Sequence, residues 1–310
     1  QSAYVPHIAI TFAVLLALLS ISVLIYFIHH VAVSIQANTI ISLVDRELRR
    51  SLDTLYPEQI GFDGSDNSTI WTAPGEAPEN FDEESVPVHS NSSGYLRLVD
   101  GDGLMNVCKS SDLVLKVVRR PGEFVVEGEP IFYLWPATAL DKKLEEDIRD
   151  SFILGPRRTT EQDVEFAIDQ LVEIAVRSLS PGINDPFTAI LCVDRLTVSL
   201  CRLTEMRLPS ASRYDSEKKL RVIAKRTEFK DLLDAAFNQI RQYGRQSAAV
   251  TIRLLESLIV VAERVNREDD RAAVLKHAEM IFRGTSVGLP EELDRRDAEE
   301  RFRQIIEILQ

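Results

Sequence analysis

No Asp, Glu, Lys or Arg occurs among the first 44 residues, and the first formal charge is Asp45. In a chain whose charged residues make up 27% of the total, that gap marks a segment built for a different solvent. Cysteine is scarce as well. Cys108, Cys192 and Cys201 show neither the paired spacing of a metal site nor the even count of a disulfide framework, and they fit a reducing compartment. The sequence has no Gly-rich phosphate loop, no His-based metal motif and no nucleophile with an evident base beside it. Catalysis is therefore the minority reading, and no cofactor or metal is expected. The net charge of −12 removes the cationic surface that nucleic-acid binding depends on. No repeat of fixed period is evident.

What fills the uncharged segment is a run of apolar residues from Ile8 to Ile28. As a helix it spans about 30 Å, the thickness of a bilayer hydrocarbon core. A signal peptide would have a basic start and a shorter apolar stretch. His29 and His30 follow at headgroup level, without other ligand types nearby. Arg46, Arg49 and Arg50 come soon after the span and nothing basic precedes it, so the C-terminal part is expected to be cytoplasmic, under a bacterial inner membrane. The chain starts at Gln1 rather than Met, and further membrane helices are expected before it.

The fold class expected is mainly α with a small β-domain: a transmembrane helix, a barrel-sandwich-like β-module and a cytoplasmic helical domain. Residues 1–55 read as the span and a helical extension, in which Val33, Ala37, Ile40, Ile41, Val44 and Leu48 recur at helical spacing. Residues 56–92 read as an acidic linker rich in Pro, Gly, Ser and Asn, with Trp71 and Pro87 as possible anchors. Residues 93–137 carry short β-type runs, including Gly94–Val99, Leu113–Val118 and Ile131–Leu134. The stretch Gly122 to Ile131 resembles the hairpin of lipoyl and biotinyl carriers, but Met105-Asn-Val-Cys-Lys109 lacks the pattern of a carrier lysine.

Residues 138–310 read as helical, beginning with a charged helix from Thr138 to Ile153. Thr159 and Gln162 suggest a capping box for a helix with the stripe Val164, Ala167, Ile168, Leu171, Val172, Ala175 and Leu179. Asp185 and Pro186 open the next helix. Leu220–Ala224 suggests a strand, with more helices at Phe229–Tyr243, Val250–Val265 and Arg271–Arg283, and a last one opened by Pro290.

Arg158-Thr159-Thr160-Glu161-Gln162-Asp163, followed by Ser180-Pro181-Gly182-Ile183-Asn184-Asp185-Pro186, resembles the bacterial family of predicted membrane proteins called domain of unknown function 2254. Two further segments agree, Arg120 to Gly128 and Ile240 to Leu255. The resemblance runs through essentially the whole chain. It implies several membrane helices upstream, and no activity, cofactor or catalytic residue.

The candidate ligand or anion site is Arg157, Arg158, Thr159, Asn184 and Asp185. Two guanidiniums and a hydroxyl at a helix N-terminus suit an anion, and the Ser180–Pro186 loop can approach them. The bland reading is an internal clamp, in which Arg158 pairs with Asp163, Asp185 or a nearby acid. Glu161, Glu165, Asp169 and Glu173 recur every four residues, a like-charge ladder that costs helix stability unless something offsets it.

The expected function is an oligomeric membrane protein, acting as a channel, transporter or regulatory scaffold. The alternatives are a membrane-tethered enzyme acting on a phosphorylated or lipid substrate, or an accessory subunit of a larger complex. The expected partners are membrane lipids and further copies or subunits, and not nucleic acid.

Overall fold

The computed structural model describes residues 7–34, 37–55, 62–63, 78–206, 211–225 and 227–310. The sequence expectations for Trp71, and for the acidic stretch around it, lie outside the described residues.

Helix α1 (His7–Ser34) contains the 19-residue apolar segment Ile10–Ile28, none of which is buried. Within it Ser22 Oγ donates to Leu18 O at 2.9 Å, so that this hydroxyl is satisfied inside the helix. Helix α2 (Ala37–Leu55) is of another kind. Its apolar stripe Ile41, Val44, Leu48 and Leu52 is buried, while Ile40 and Leu43 face outward.

The partners of that stripe are α6 (Val164–Ser178) and α7 (Pro186–Glu205), and the three helices share one core with α8 (Phe229–Gly244), α9 (Ala248–Ala262), α10 (Glu268–Gly288) and α11 (Glu292–Leu309). Helical periodicity located this core correctly, since Val164, Ala167, Ile168, Leu171, Val172 and Ala175 are all buried. The bundle runs up and down. Ser51 Oγ donates to Thr160 O at 2.6 Å, and Asp53 pairs with Arg202. The C-terminal end of α2 therefore lies beside the start of α6 and the end of α7.

The β-structure forms two sheets. One has six strands in the order β1 (Phe62–Asp63), β8 (Ser212–Tyr214), β9 (Leu220–Ile223), β4 (Val114–Val117), β6 (Pro130–Trp135) and β2 (Val86–His89). All neighbours are antiparallel except β4 and β9. The other has the order β5 (Phe124–Val125), β3 (Gly94–Val99), β7 (Phe152–Gly155). The turns expected around Gly122 and Gly128 are present, with φ of +93° and +84°. Strands β5 and β6 nevertheless belong to different sheets, and no barrel closes among the described residues.

Several elements depart from expectation. Val86–His89 is a strand within the stretch read as linker, and Phe152–Gly155 is a strand where the Thr138 helix was expected to finish; the helix itself, α5, covers Lys142–Asp150. Helix α4 (Gly101–Ser110) was not expected, because two glycines lower its propensity. Asp100 caps it by accepting from Gly103 N at 3.0 Å, and Leu104 and Cys108 bury its inner face. The short α3 (Phe81–Glu84) buries only Phe81.

Beside the turn between β8 and β9, the buried Arg221 of β9 donates from Nε to Asp215 Oδ2 at 2.7 Å, and from Nη1 to Asp112 Oδ1 at 2.7 Å. Burial opposes charge on Asp215, but Arg221 and the backbone N–H groups of Lys219 and Glu217 outweigh it and hold the carboxyl below its ordinary range.

Two outcomes follow from this packing. Leu48→Ala removes a fully buried side chain and should cost about 2–5 kcal/mol in thermal unfolding of the detergent-solubilised chain. Ile40→Ala should stay within about 0.5 kcal/mol. Equal effects would show that α2 is not packed this way. Asp215, with its lowered folded value, stabilises above the unfolded carboxylate value of about 3.9, and that contribution is lost as pH falls through the folded value. The stability gap between the wild type and Asp215→Asn should therefore be widest near neutrality and close in acid, as read from urea midpoints; a pH-independent gap would contradict it.

Candidate functional site

The segment from Gly155 to Asp163 is where α2, the three-stranded sheet, the Arg120–Glu123 turn and α6 meet. Its centre is Asp163, which is 4% exposed. As the N-cap of α6, its Oδ1 accepts from Phe166 N at 3.0 Å. Arg158 grips the same carboxylate with two bonds, Nε to Oδ2 at 2.7 Å and Nη2 to Oδ1 at 3.0 Å. Its third nitrogen, Nη1, donates to Asp169 Oδ2 at 2.7 Å, and the guanidinium carbon stands 5.1 Å from the Phe166 ring centroid. Burial pulls the Arg158 pKa down, but Asp163 and Asp169 outweigh it and hold the value above the ordinary one.

The β-structure is fastened to this centre by shape and hydrogen bonding. Gly122 packs against Asp163 so closely that a Cβ would run into the carboxylate. Gln162 Oε1 accepts from Val99 N at 2.9 Å and its Nε2 donates to Val99 O at 3.2 Å, so the side-chain amide takes the place of a strand neighbour for β3. Arg120 donates to Glu165 Oε2 at 3.2 Å and to Asp231 Oδ2 at 3.4 Å, linking the turn to the starts of α6 and α8.

The acid ladder thus has its counter-charges. Glu165 faces Arg120, Asp169 faces Arg158, Glu173 pairs with Arg177, and Glu161 lies 4.0 Å from Arg97. Burial pushes the Glu165 and Asp169 carboxyls up, with Arg120 and Arg158 opposing it.

Of the five residues singled out in the sequence, the structure brings only part together. Arg158 sits in the cluster, Arg157 is exposed at the surface, and Thr159 Oγ1 reaches Glu161 Oε2 at 3.5 Å. Asn184 and Asp185 lie beyond the far end of α6, which is 15 residues and so about 22 Å long. Asp185 is engaged locally: it caps α7, accepting from Phe187 N and Thr188 N at 3.1 and 3.2 Å and from Thr188 Oγ1 at 2.6 Å. These bonds from Thr188 and Phe187 hold its carboxyl below the ordinary range. Of the partners expected for Arg158, the structure gives Asp163 and not Asp185, because Asp163 is five residues away and Asp185 is a helix length away. The Thr159–Gln162 capping box is likewise replaced by Asp163, since Gln162 is committed to β3.

Arg120 and Asp231 were not among the candidate site residues; the unexplained cost of the acid ladder, to which Asp169 belongs, was the one signal for them. The thiols of Cys108 and Cys192 are pushed up to about 12, chiefly by burial. An open hollow of about 470 Å³ is lined by Asn266, Glu268, Arg271, Ala272, Leu275 and Leu309, none of them in the arginine cluster. Among the described residues no three His, Cys, Asp or Glu converge as metal ligands.

An exposed apolar span, a helical bundle built onto its continuation and a mixed sheet beyond define a membrane-anchored α-helical protein. The chain belongs to the family described as predicted membrane protein DUF2254, whose model matches residues 1–259. It is similar to uncharacterized proteins of Mycobacterium bovis and Mycobacterium tuberculosis, each 31% identical over 297 residues, covering 94% of this chain. The chain spans about half the length of these relatives, at 55%. No solved structure matches it.

Arg158→Ala leaves Asp163 buried without its counter-ion and should cost about 3 kcal/mol or more. Asp163→Asn in the same chain should recover part of that loss, while Asp185→Asn should add independently. Thermal unfolding of the single and double variants is the measurement; strict additivity of Arg158→Ala and Asp163→Asn would show that the clamp is absent.

Proposed function

We propose that the chain is a scaffold anchored in the bacterial inner membrane, with its C-terminal domain cytoplasmic, which works within a homo-oligomer or a larger membrane complex and couples the membrane span to the β-structure. The observation that carries this reading is the burial of the α2 stripe in the bundle core. Only residues 35 and 36 separate α1 from α2, so displacement of the span pulls directly on a core helix. The joint around Asp163 then relays it to the sheets.

A scaffold is preferred to a channel because Ile10–Ile28 carries no ionisable acid or base to line an ion path. It is preferred to an enzyme because the donors of Arg158 are committed to Asp163 and Asp169. Arg46, Arg49 and Arg50 after the span favour the cytoplasmic side.

The test has two arms on the full chain. A fluorescent-protein reporter fused after Gln310 should fluoresce and a phosphatase fused there should stay inactive; the reverse overturns the orientation. Purification in mild detergent should yield an assembly of fixed stoichiometry, with no ion flux after reconstitution. A lone monomer without partners overturns the scaffold reading.

A further inference from the structure

The antiparallel packing of α2 fixes which end of the bundle faces the bilayer. The start of α6 lies beside the C-terminal end of α2, so α6 runs back toward Ala37, where the chain leaves the span. Helices α8 and α10 run the same way. The start of α8 meets the start of α6 through Arg120, and Arg267, the N-cap of α10, donates to Leu203 O and Met206 O at the end of α7. Their ends meet again at the other pole. A Cβ on Gly288, closing α10, would strike Arg245 O just past α8, and one on Gly244 would lie 3.5 Å from Leu179, just past α6.

That membrane-side pole is where the apolar side chains are left bare. Outside α1, the large apolar residues more than 55% exposed among the described residues are Ile183 at 63%, Phe187 at 80%, Tyr243 at 56%, Val287 at 84% and Leu293 at 57%. All five sit at this pole: in the α6–α7 turn, in the first turn of α7, at the ends of α8 and α10, and at the start of α11. The α6–α7 turn is well bonded, with Asn184 N donating to Ser180 O at 2.8 Å and Asp185 N to Ser178 O at 2.8 Å. It holds Ile183 and Phe187 outward in a set conformation. Arg177, which also pairs with Glu173, and Arg245 are exposed at the same helix ends, and Arg283 is exposed just over a turn before the end of α10, while Glu291 and Glu292 keep the rim mixed in sign.

Chain length says what covers this surface. From Ile28, the last apolar residue of the span, to Ser34 is about 9 Å of helix. Three Cα steps then reach Ala37, adding at most about 11 Å. The pole is therefore tethered within about 20 Å of the hydrocarbon edge, and the headgroup layer fills several of those ångströms. We propose that this pole of the bundle docks on the bilayer, with Ile183, Phe187, Tyr243, Val287 and Leu293 inserted among the lipid headgroups. This rests on the membrane anchor and not on the scaffold reading. Exposed aromatic and aliphatic side chains with arginines among their neighbours are a composition that partitions to such an interface.

The test uses the full chain reconstituted in vesicles of mixed phosphatidylcholine and phosphatidylglycerol. A single reactive cysteine, Phe187→Cys or Phe124→Cys in a Cys201→Ser background, takes a fluorescent label; Cys108 and Cys192 are buried and stay unlabelled. Phe124 is the control: it is 51% exposed, and it lies two residues from Gly122, at the Asp163 end of α6. Both positions lie on one side of the membrane, so sidedness cancels in their ratio. The label at 187 should be quenched by lipids carrying a nitroxide near the headgroup, and should be several-fold less accessible to iodide than the label at 124. Equal iodide access at the two positions overturns the proposal. So does protection of position 187 from iodide and lipid nitroxide alike, which would mean that protein covers the face. Both substitutions replace exposed side chains, and unchanged unfolding midpoints confirm that the fold is intact.

Discussion

The burial of Ile41, Val44, Leu48 and Leu52 is the constraint on which the arrangement of this protein depends. A membrane span followed by a solvated stalk would leave its domain free to reorient. Here the continuation of the span is a core helix, and moving it would expose a full apolar stripe, at roughly 25 cal/mol for each Å² uncovered. The directions of α6 and α7 follow from α2. One pole of the bundle is thereby set toward the bilayer, and the sheets are set at the other end.

The second constraint is electrostatic and sits at that other end. Asp163 has three roles at once: it caps α6, receives both prongs of Arg158 and leaves space only for a glycine at position 122. A carboxylate buried to this degree is tolerable because each of its oxygens is engaged by a donor. The neighbouring acids of α6 are balanced by arginines from outside the helix, including Arg120 from the turn before β5. The ladder that would weaken α6 in isolation is therefore what holds the two parts of the protein together.

Legibility in the sequence followed the range of the physics. The span, the apolar stripe of α6, the Asp185-Pro186 start of α7 and the strand at Leu220 are local or periodic features, and each was found where its pattern placed it, whereas in α2 Ile41, Val44 and Leu48 are buried as expected but Ile40 faces outward and Leu52 takes a place in the stripe. Helix α4 was missed because Gly101 and Gly103 argue against a helix that burial of Leu104 and Cys108 makes favourable. The first half of strand β7, Phe152 and Ile153, was expected as the end of a helix because its ladder partner, β3, lies more than 50 residues earlier.

By itself, the sequence determined that this is a membrane protein of its family with a helical core, since an uncharged apolar run and a 3.6-residue period fix solvent and local conformation without reference to the rest of the chain. Tertiary structure decided what Arg158 binds. Asp163 and Asp185 are equally plausible partners on paper, but α6 is rigid and puts a helix length between them, so the nearer carboxylate takes the arginine. It also decided that Ile183 and Phe187 share a pole with Tyr243 and Val287. Residues so far apart in sequence meet only because α6, α8 and α10 all run the same way, and that direction is set by burying the stripe of α2.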